Sequence, residues 1–390
     1  MNIPSDYIEG YAKARAVAPD LVDNYIAHTM IADPQADAVM EEMREIDRRE
    51  AARFVNIAMD DIEDPRLRDA PTSLVEFFKD MEPPPDWVDF DDFMPGVRAF
   101  HRNSKLVLAA FVLSSIEGFT TNISRSFNLT GRVRDKGVRR LGQNNRFITE
   151  IFLPGGLERY GDGWKLAVRL RIIHSHIRLL LSQSDEWDTE AWGVPLHQAH
   201  MGYALTTFSV RMLQHMKSLG AVYNAEERRS FVAAWRYAGW LMGTPETILF
   251  KDEDEAQRLF DVAMLCEPFG SEDAIILTNG AINSAPMVAG ITDPEQRKHL
   301  ANYIYSVARA LLGDEMSDGM RFPPSSTFGV LPLFRARERY YRVRSRLLPR
   351  YGKVHAFTNF ATLLENTTFD DVGIDYRWPD RLYSEMSSQW

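Results

Sequence analysis

The sequence has few features that point to an oxidising compartment or to a membrane. Among its 390 residues there is one cysteine, Cys266, which excludes an intramolecular disulfide and any site built from paired cysteines. The longest apolar stretch, Leu106 to Leu113, is far shorter than the ~20 residues that span a bilayer. The N-terminal segment MNIPSDYIEGYAKA has neither a basic start nor an apolar run. We therefore expect no secretory signal, no transmembrane segment and a cytoplasmic location.

An excess of basic charge and the common catalytic motifs are also lacking. The net charge of −10 argues against nucleic acid as a partner, because nucleic-acid-binding proteins present a basic surface. The sequence contains no GxxxxGK, no GxGxxG after a strand, no GxSxG and no HExxH. Nucleotide, serine-hydrolase and zinc-protease chemistries therefore have no support.

What the sequence does contain is a succession of helix signals. The segment after Lys105, LVLAAFVLSSIEGF, is apolar on nearly all sides, as a buried helix is. The segment NAEE, which begins at Asn224, resembles a capping box, and Pro294 stands at the favoured first position of another helix. Alternating β patterns are scarce. These signals predict an all-α fold.

Prolines divide the chain. The region from Asp64 to about Pro95 reads as a linker, because successive prolines such as Pro83, Pro84 and Pro85 cannot continue a helix. We predict an N-terminal helical extension over residues 1–80, a core over residues 81–313, and a C-terminal loop and helices over residues 314–390.

The segment WKLAVRLRIIHSHIRLLL, Trp164 to Leu181, is a nearly all-apolar helix that carries histidine and arginine. His174 shares a helical face with Arg171, Ile177 and Arg178, whereas His176 points about 200° away and is the weaker candidate. This pattern suits a haem, with His174 on the iron and the two arginines on the propionates. The alternative is a core histidine, with the arginines paired to Asp or Glu elsewhere.

One pair of residues and one single residue are further candidates for catalysis. Arg140 and Asn144 are neighbours on one helical face and can hold a polar ligand or dioxygen by hydrogen bonds, unless they belong to a surface helix. Glu117 lies in an apolar helix, where it is either a general base or part of a structural salt bridge.

Two other features have simpler explanations. His197 and His200 are three residues apart and can meet one metal, but no third ligand has suitable spacing, so we favour capping or packing. The helix from Phe334 to Arg350 carries an arginine stripe beside an apolar stripe. It can make weak contact with an anionic membrane surface, or it can dock on the acidic remainder of the chain.

Taken in order, several segments resemble the catalytic-domain family of rubber oxygenases (latex-clearing proteins), which includes the membrane-bound oxygenase of mycophenolic acid biosynthesis. The resemblance covers about residues 80–310, through the segments PPPDWVDFDDFMPG, TGRV, RRLGQNNRF, PGG, VRLRIIHSHIR, GVPLHQAHMGYALTTFS and WRYAGWLMGTPE.

The resemblance implies a globin-like helical core that binds haem b, and it implies that His174 is the iron ligand. The family's distal Arg-x-x-x-Thr pattern meets Arg140 but finds Asn144 in place of threonine, and Gln143 stands where rubber-cleaving members have lysine. Glu117 is our choice for the family's distal glutamate. These departures indicate that the pocket is not a copy of the polymer-cleaving site.

We therefore predict a haem-dependent oxygenase whose partners are dioxygen and a hydrophobic small molecule, such as an alkene, a terpenoid or a pathway intermediate. One alternative keeps the haem but changes the chemistry, to a peroxide-using enzyme, an isomerase or dehydratase, or a gas-binding module without turnover. Another is a cofactor-free helical protein that binds a lipid or a partner through the arginine stripe.

Overall fold

The computed structural model describes residues 1–130 and 137–367, with the backbone alone for residues 137–141, and two short strands beyond them. The N-terminal part is helical from the start, as α1 (Ile8–Arg15), α2 (Pro19–Ala27), α3 (Pro34–Met43), α4 (Arg48–Asp60) and α5 (Thr72–Met81). Short 3₁₀ turns at Ser5–Tyr7, His28–Met30, Pro65–Leu67 and Phe90–Phe93 connect this part.

The proline-rich region is not simply a linker. Pro71 precedes α5 as its N-cap, so the helix begins after one proline, and it ends before the run of three prolines. Phe77 and Phe78 of α5 are fully buried in the main core, as are Val39 and Met40 of α3. Helices α3 to α5 are thus packed into the same core as the segments that follow them, whereas α1 and α2 contribute Ala14 and Tyr25 to a second cluster.

Within the described residues, the middle of the chain, from Met94 to Trp192, forms six helices. They are α6 (Met94–Arg102), α7 (Ser104–Phe119), α8 (Ile123–Leu129), α9 (Gly137–Ile151), α10 (Asp162–Ser182) and the short α11 (Thr189–Trp192). The expected buried helix after Lys105 is confirmed as α7, whose side chains are buried on most sides. Helix α10 packs against α3, α9 and α14, and so lies inside the bundle.

The next stretch contains one irregular helix. Helix α12 (Gln198–Thr206) continues through a π-helical turn, Thr207–Arg211, into α13 (Met212–Leu219). It ends at Gly220, whose φ of 110° is left-handed, as in a helix C-cap. The helices that follow are α14 (Ala225–Leu241), α15 (Glu253–Cys266), α16 (Glu272–Val288), α17 (Pro294–Leu312) and α18 (Asp314–Gly319).

The predicted helix starts are confirmed. Asn224 and Glu227 form both hydrogen bonds of a capping box at α14, and Asp293 accepts from the backbone N–H of Gln296 at the start of α17. The chain ends with α19 (Val330–Leu347), α20 (Pro349–Glu365) and the paired two-residue strands β1 (Trp378–Pro379) and β2 (Ser387–Ser388). The all-α prediction is confirmed. None of the described helices is by itself long and apolar enough to cross a bilayer; α7 and α8, which meet at 93°, pass that test only when counted together.

Candidate functional site

An internal cavity lies among α7, α8, α9, α10, the α12–α13 helix and α14. Its lining is dominated by aromatic and aliphatic side chains, which include Phe111, Phe119, Phe147, Phe208 and Trp235. The cavity has a volume of about 210 Å³ and is partly open to solvent. An apolar pocket with a few polar groups is typical of a small-molecule or cofactor site.

His174 lines this cavity. It stands on α10 with Leu170 one turn before it and Ile177 one turn after it, and all three side chains line the same cavity. Residues spaced by three and four share one face of a helix, so α10 presents an imidazole to the cavity between two aliphatic side chains. In the structure, as predicted, His174 lies on an apolar face of its helix.

The two arginines of the same pattern are placed elsewhere. Arg171, Ser175 and Arg178 form the adjacent stripe of α10, which faces α3 instead of the cavity. The Nε of Arg171 lies 2.6 Å from Asp33, and the Nε of Arg178 lies 2.9 Å from Asp37. The prediction put these guanidinium groups beside a cofactor; the structure puts them in buried ion pairs, the alternative that the sequence left open.

The ion pairs have a clear physical basis. Asp33 is the N-cap of α3, where its side chain accepts from the backbone N–H of Ala36, and Asp37 follows one turn later on the same face. Two carboxylates four residues apart on α3 thus meet two guanidinium groups seven residues apart on α10. This pairing joins the N-terminal helices to the helix that carries His174.

Glu117 of α7 is fully buried and does not line the cavity, although its neighbours Ser115 and Gly118 do. Its carboxylate is bound by Arg211, with Nε 3.0 Å from Oε1, and by His215, with Nε2 3.1 Å from Oε2. Burial raises the pKa of Glu117, but His215 and Arg211 lower it more, so the net direction is downward. The structure therefore gives the salt bridge, and its cationic partner is Arg211.

Of the two distal candidates, Asn144 lines the cavity from α9, and it brings an amide to the same space as His174. The prediction for Arg140 concerns a side chain that lies outside the described residues. Polar side chains are otherwise few in the lining: Ser115, Ser126, Thr130, His200 and Thr207. Among the lining residues that the structure describes, none is Asp, Glu, Lys or Arg.

His197 and His200 form a buried cluster at the start of α12. His197 caps the helix, because its Nδ1 accepts from the backbone N–H of His200 at 3.1 Å. The cluster also contains Tyr7 and Glu267, which the sequence analysis did not single out because they lie far apart in the chain. Across the described ranges no group of three or more His, Cys, Asp and Glu side chains is placed to hold a metal ion. The expectation of capping for His197 is confirmed.

Helix α19 is both docked and exposed. Arg335 and Arg342 donate to the carbonyls of Ser218 and Gly220 at the end of α13, which attaches the helix to the body of the protein. Other side chains of α19 are exposed, and they combine arginines with large apolar side chains: Arg339, Tyr340, Val343, Arg346 and Leu347. We call these five residues the outer stripe of α19.

The cavity can be compared with the needs of a haem. An imidazole for the iron and an apolar, aromatic lining are what a protein supplies to a b-type haem. His174 and the lining described above provide both, and His200 is a second imidazole in that lining. No described cation lines the cavity, so no partner for the propionates is assigned. The donor set fits a haem held through one histidine.

The fold and the site thus define an all-α protein with a histidine-bearing apolar cavity at its centre. The family described as "ER-bound oxygenase mpaB/B'/Rubber oxygenase, catalytic domain" matches residues 100–342, and the chain belongs to this family. The predicted resemblance is confirmed.

Two known proteins are similar to this chain. The rubber oxygenase of Streptomyces sp. (strain K30) is 24% identical over 173 residues, which are 42% of this chain and 40% of that protein. The match therefore spans less than half the length of that relative. The structure of latex clearing protein LCP in the closed state superimposes with a TM-score of 0.64 at 18% identity, over 87% of this chain and 90% of that one. At this identity the likeness concerns the fold.

Proposed function

We propose that the protein is a haem b-dependent oxygenase that acts on a hydrophobic small molecule in the central cavity. The observation that carries this proposal is the placement of His174, an imidazole between Leu170 and Ile177 that lines an apolar cavity in a chain of an oxygenase family. His174 would hold the iron through one imidazole nitrogen.

The haem would supply a redox-active iron at which dioxygen reacts. The chain's own residues have simpler tasks. The aromatic and aliphatic lining binds the apolar substrate by burial. The Asn144 amide can donate to, or accept from, a polar group in the same space.

Glu117 contributes through structure instead of proton transfer. Its carboxylate ties α7 to the π-helical turn that carries Thr207 and Phe208 to the cavity wall. Arg140 stays a predicted partner of Asn144 at the distal side. The alternative, a haem protein that uses peroxide, isomerises or dehydrates its substrate, or binds a gas without turnover, predicts no oxygen consumption with the substrate.

The substrate class follows from the lining. The relative from Streptomyces is named for rubber, a hydrocarbon polymer that contains alkene groups. For this chain we propose a small alkene, a terpenoid or an electron-rich aromatic compound, because the lining offers aromatic and aliphatic contacts and no described charged side chain.

The test is spectroscopic and then catalytic. The protein is expressed with haem supplied, and its Soret absorption is compared with that of His174→Ala and of the control His176→Ala on the same helix. We expect His174→Ala to lose haem and His176→Ala to retain it. Equal haem content in both variants would refute His174 as the ligand. Oxygen consumption with small alkenes then separates an oxygenase from a haem protein that forms no product.

We also propose that the outer stripe of α19 contacts an anionic lipid surface. Leu347 is 75% exposed and Tyr340 is 57% exposed, and both are next in sequence to exposed arginines, Arg346 and Arg339. Exposed apolar side chains interleaved with cations are typical of interfacial helices.

A further inference from the structure

His200 lines the central cavity, and its imidazole also makes hydrogen bonds to a cluster of buried polar side chains. The side chain is 3% exposed. Its Nε2 lies 3.1 Å from the hydroxyl of Tyr7 and 3.3 Å from the carboxylate of Glu267. The ring is stacked on His197 at 3.7 Å between centroids. These contacts fix the orientation of the imidazole.

The surrounding hydrogen bonds assign the tautomer of each histidine. His197 accepts at Nδ1 from the backbone, so the hydrogen of the neutral ring is on Nε2, 3.2 Å from the Tyr7 hydroxyl. Burial, followed by the proximity of His200, holds the pKa of His197 well below its usual range, which keeps that ring neutral.

Glu267 decides the tautomer of His200. Its carboxylate accepts from the Tyr25 hydroxyl at 2.7 Å, from the backbone N–H of Asn122 at 3.2 Å and from the Tyr7 hydroxyl at 3.4 Å. A carboxylate only accepts hydrogen bonds, so the nitrogen of His200 that faces it carries the hydrogen. We assign the Nε2–H form to His200, with a lone pair on Nδ1.

The Nδ1 of His200 is buried and has no hydrogen-bond partner among the described residues. Buried acceptors are normally satisfied, and a specific exception calls for an explanation. Because the side chain lines the cavity, a group of the bound molecule can supply the missing donor.

We propose that Nδ1 of His200 accepts a hydrogen bond from a hydroxyl group of the molecule in the cavity, so that the ligands of this site are hydrophobic alcohols or phenols. This proposal deepens the proposed function, since it rests on the same cavity as the substrate site. Glu267 is a positioning residue, which acts through the tautomer of His200.

The test uses a matched pair of probes and the haem-containing protein. Farnesol carries a hydroxyl, and farnesyl methyl ether has the same chain with no donor. Binding of each is measured by calorimetry. We expect the alcohol to bind about 10-fold more tightly, the effect of one buried hydrogen bond. Equal binding of the two probes would overturn the proposal.

Three variants test the assigned geometry. His200→Phe should abolish the preference for the alcohol, and His200→Asn, whose amide oxygen can accept in the region of Nδ1, should restore part of it. Glu267→Gln presents an amide N–H to Nε2, which moves the hydrogen of His200 to Nδ1, so the preference should shift toward the ether. A preference that persists in His200→Phe would contradict the proposal.

The control is Ser124→Ala, a buried residue outside the cavity lining whose hydroxyl already donates to the carbonyl of Thr121 at 2.7 Å. Its preference should equal that of the wild type. Loss of the Soret band in His200→Phe would make His200 an iron ligand and refute the hydrogen-bonding role. A haem-free wild type that still prefers the alcohol would refute the proposed function and leave this inference standing.

Discussion

Arg171 and Asp33 form a two-point ion pair inside the protein. The Nε of the guanidinium lies 2.6 Å from Oδ2, and one of its terminal nitrogens lies 2.9 Å from Oδ1. The backbone of Gly243, whose φ is 84°, packs directly on the pair, since a Cβ atom there would stand 2.3 Å from Oδ2. Three distant segments of the chain thus meet at one guanidinium group.

Removal of the carboxylate should destabilise the protein strongly. Asp33→Ala leaves the Arg171 guanidinium buried without its counter-ion and removes the N-cap of α3. We expect the free energy of unfolding to fall by about 3–5 kcal/mol, as when one partner of a buried pair is deleted. The measurement is chemical denaturation followed by circular dichroism.

The matched control is an exposed ion pair that also involves α10, the helix of Arg171. In this pair Lys165 lies 2.6 Å from Asp60, and Asp60 is 70% exposed. Asp60→Ala should change the free energy of unfolding by about 0–1 kcal/mol. Similar losses in both variants would contradict a special role for the buried pair.

The buried His197 should make stability depend on pH below neutrality. Folded His197 stays neutral because its pKa is held well below 6.5, whereas the unfolded chain takes up a proton near that pH. The unfolding free energy should therefore fall as the pH decreases below 6.5, by at most about 1.4 kcal/mol per pH unit for this group.

His197→Asn should flatten that dependence, since asparagine is also a favourable N-cap and does not titrate. Denaturation curves at pH 7.5 and pH 5.5 give the slope. The exposed His299→Asn variant controls for the removal of one imidazole from the unfolded chain. An unaltered slope in His197→Asn would show that other groups cause the pH dependence.

The outer stripe of α19 should bind anionic vesicles. Near such a surface each basic residue contributes about 1 kcal/mol. The double variant Arg339→Glu with Arg346→Glu should therefore weaken sedimentation with phosphatidylserine-containing vesicles by at least about tenfold, with no effect on phosphatidylcholine vesicles. Arg49→Glu with Arg53→Glu on the exposed face of α4 makes the same charge change elsewhere. If both double variants weaken binding equally, the stripe is not the contact.

Local signals in the sequence were enough to predict many helices. The capping box at Asn224 and the proline at position 294 specify helix starts through neighbouring residues alone, and the structure confirms both. The apolar face with His174 is likewise a property of one helix. The proline-rich region was misread because α5 begins directly after Pro71 and fits between prolines.

Partners that are distant in the chain could not be predicted in this way. Arg211 reaches Glu117 across 94 residues, and Asp33 reaches Arg171 across 138. On α10, the residues that bind α3 are offset by one position from the residues that line the cavity. The spacing of Arg171 and Arg178 in the sequence does not reveal to which of these two faces the arginines belong. The predicted domain limits and the cytoplasmic location stay predictions.

The π-helical turn between α12 and α13 sets the angular phase of everything that follows it. A π turn holds one residue more than a regular α turn, and each residue rotates a helix by about 100°. Deleting a single residue within Thr207–Arg211 would restore uniform winding, yet it would swing Leu213 and Met216 out of the hydrophobic core, where both are now buried. Because of the irregular turn, one continuous helix lines the cavity with its first residues and packs into the core with its last.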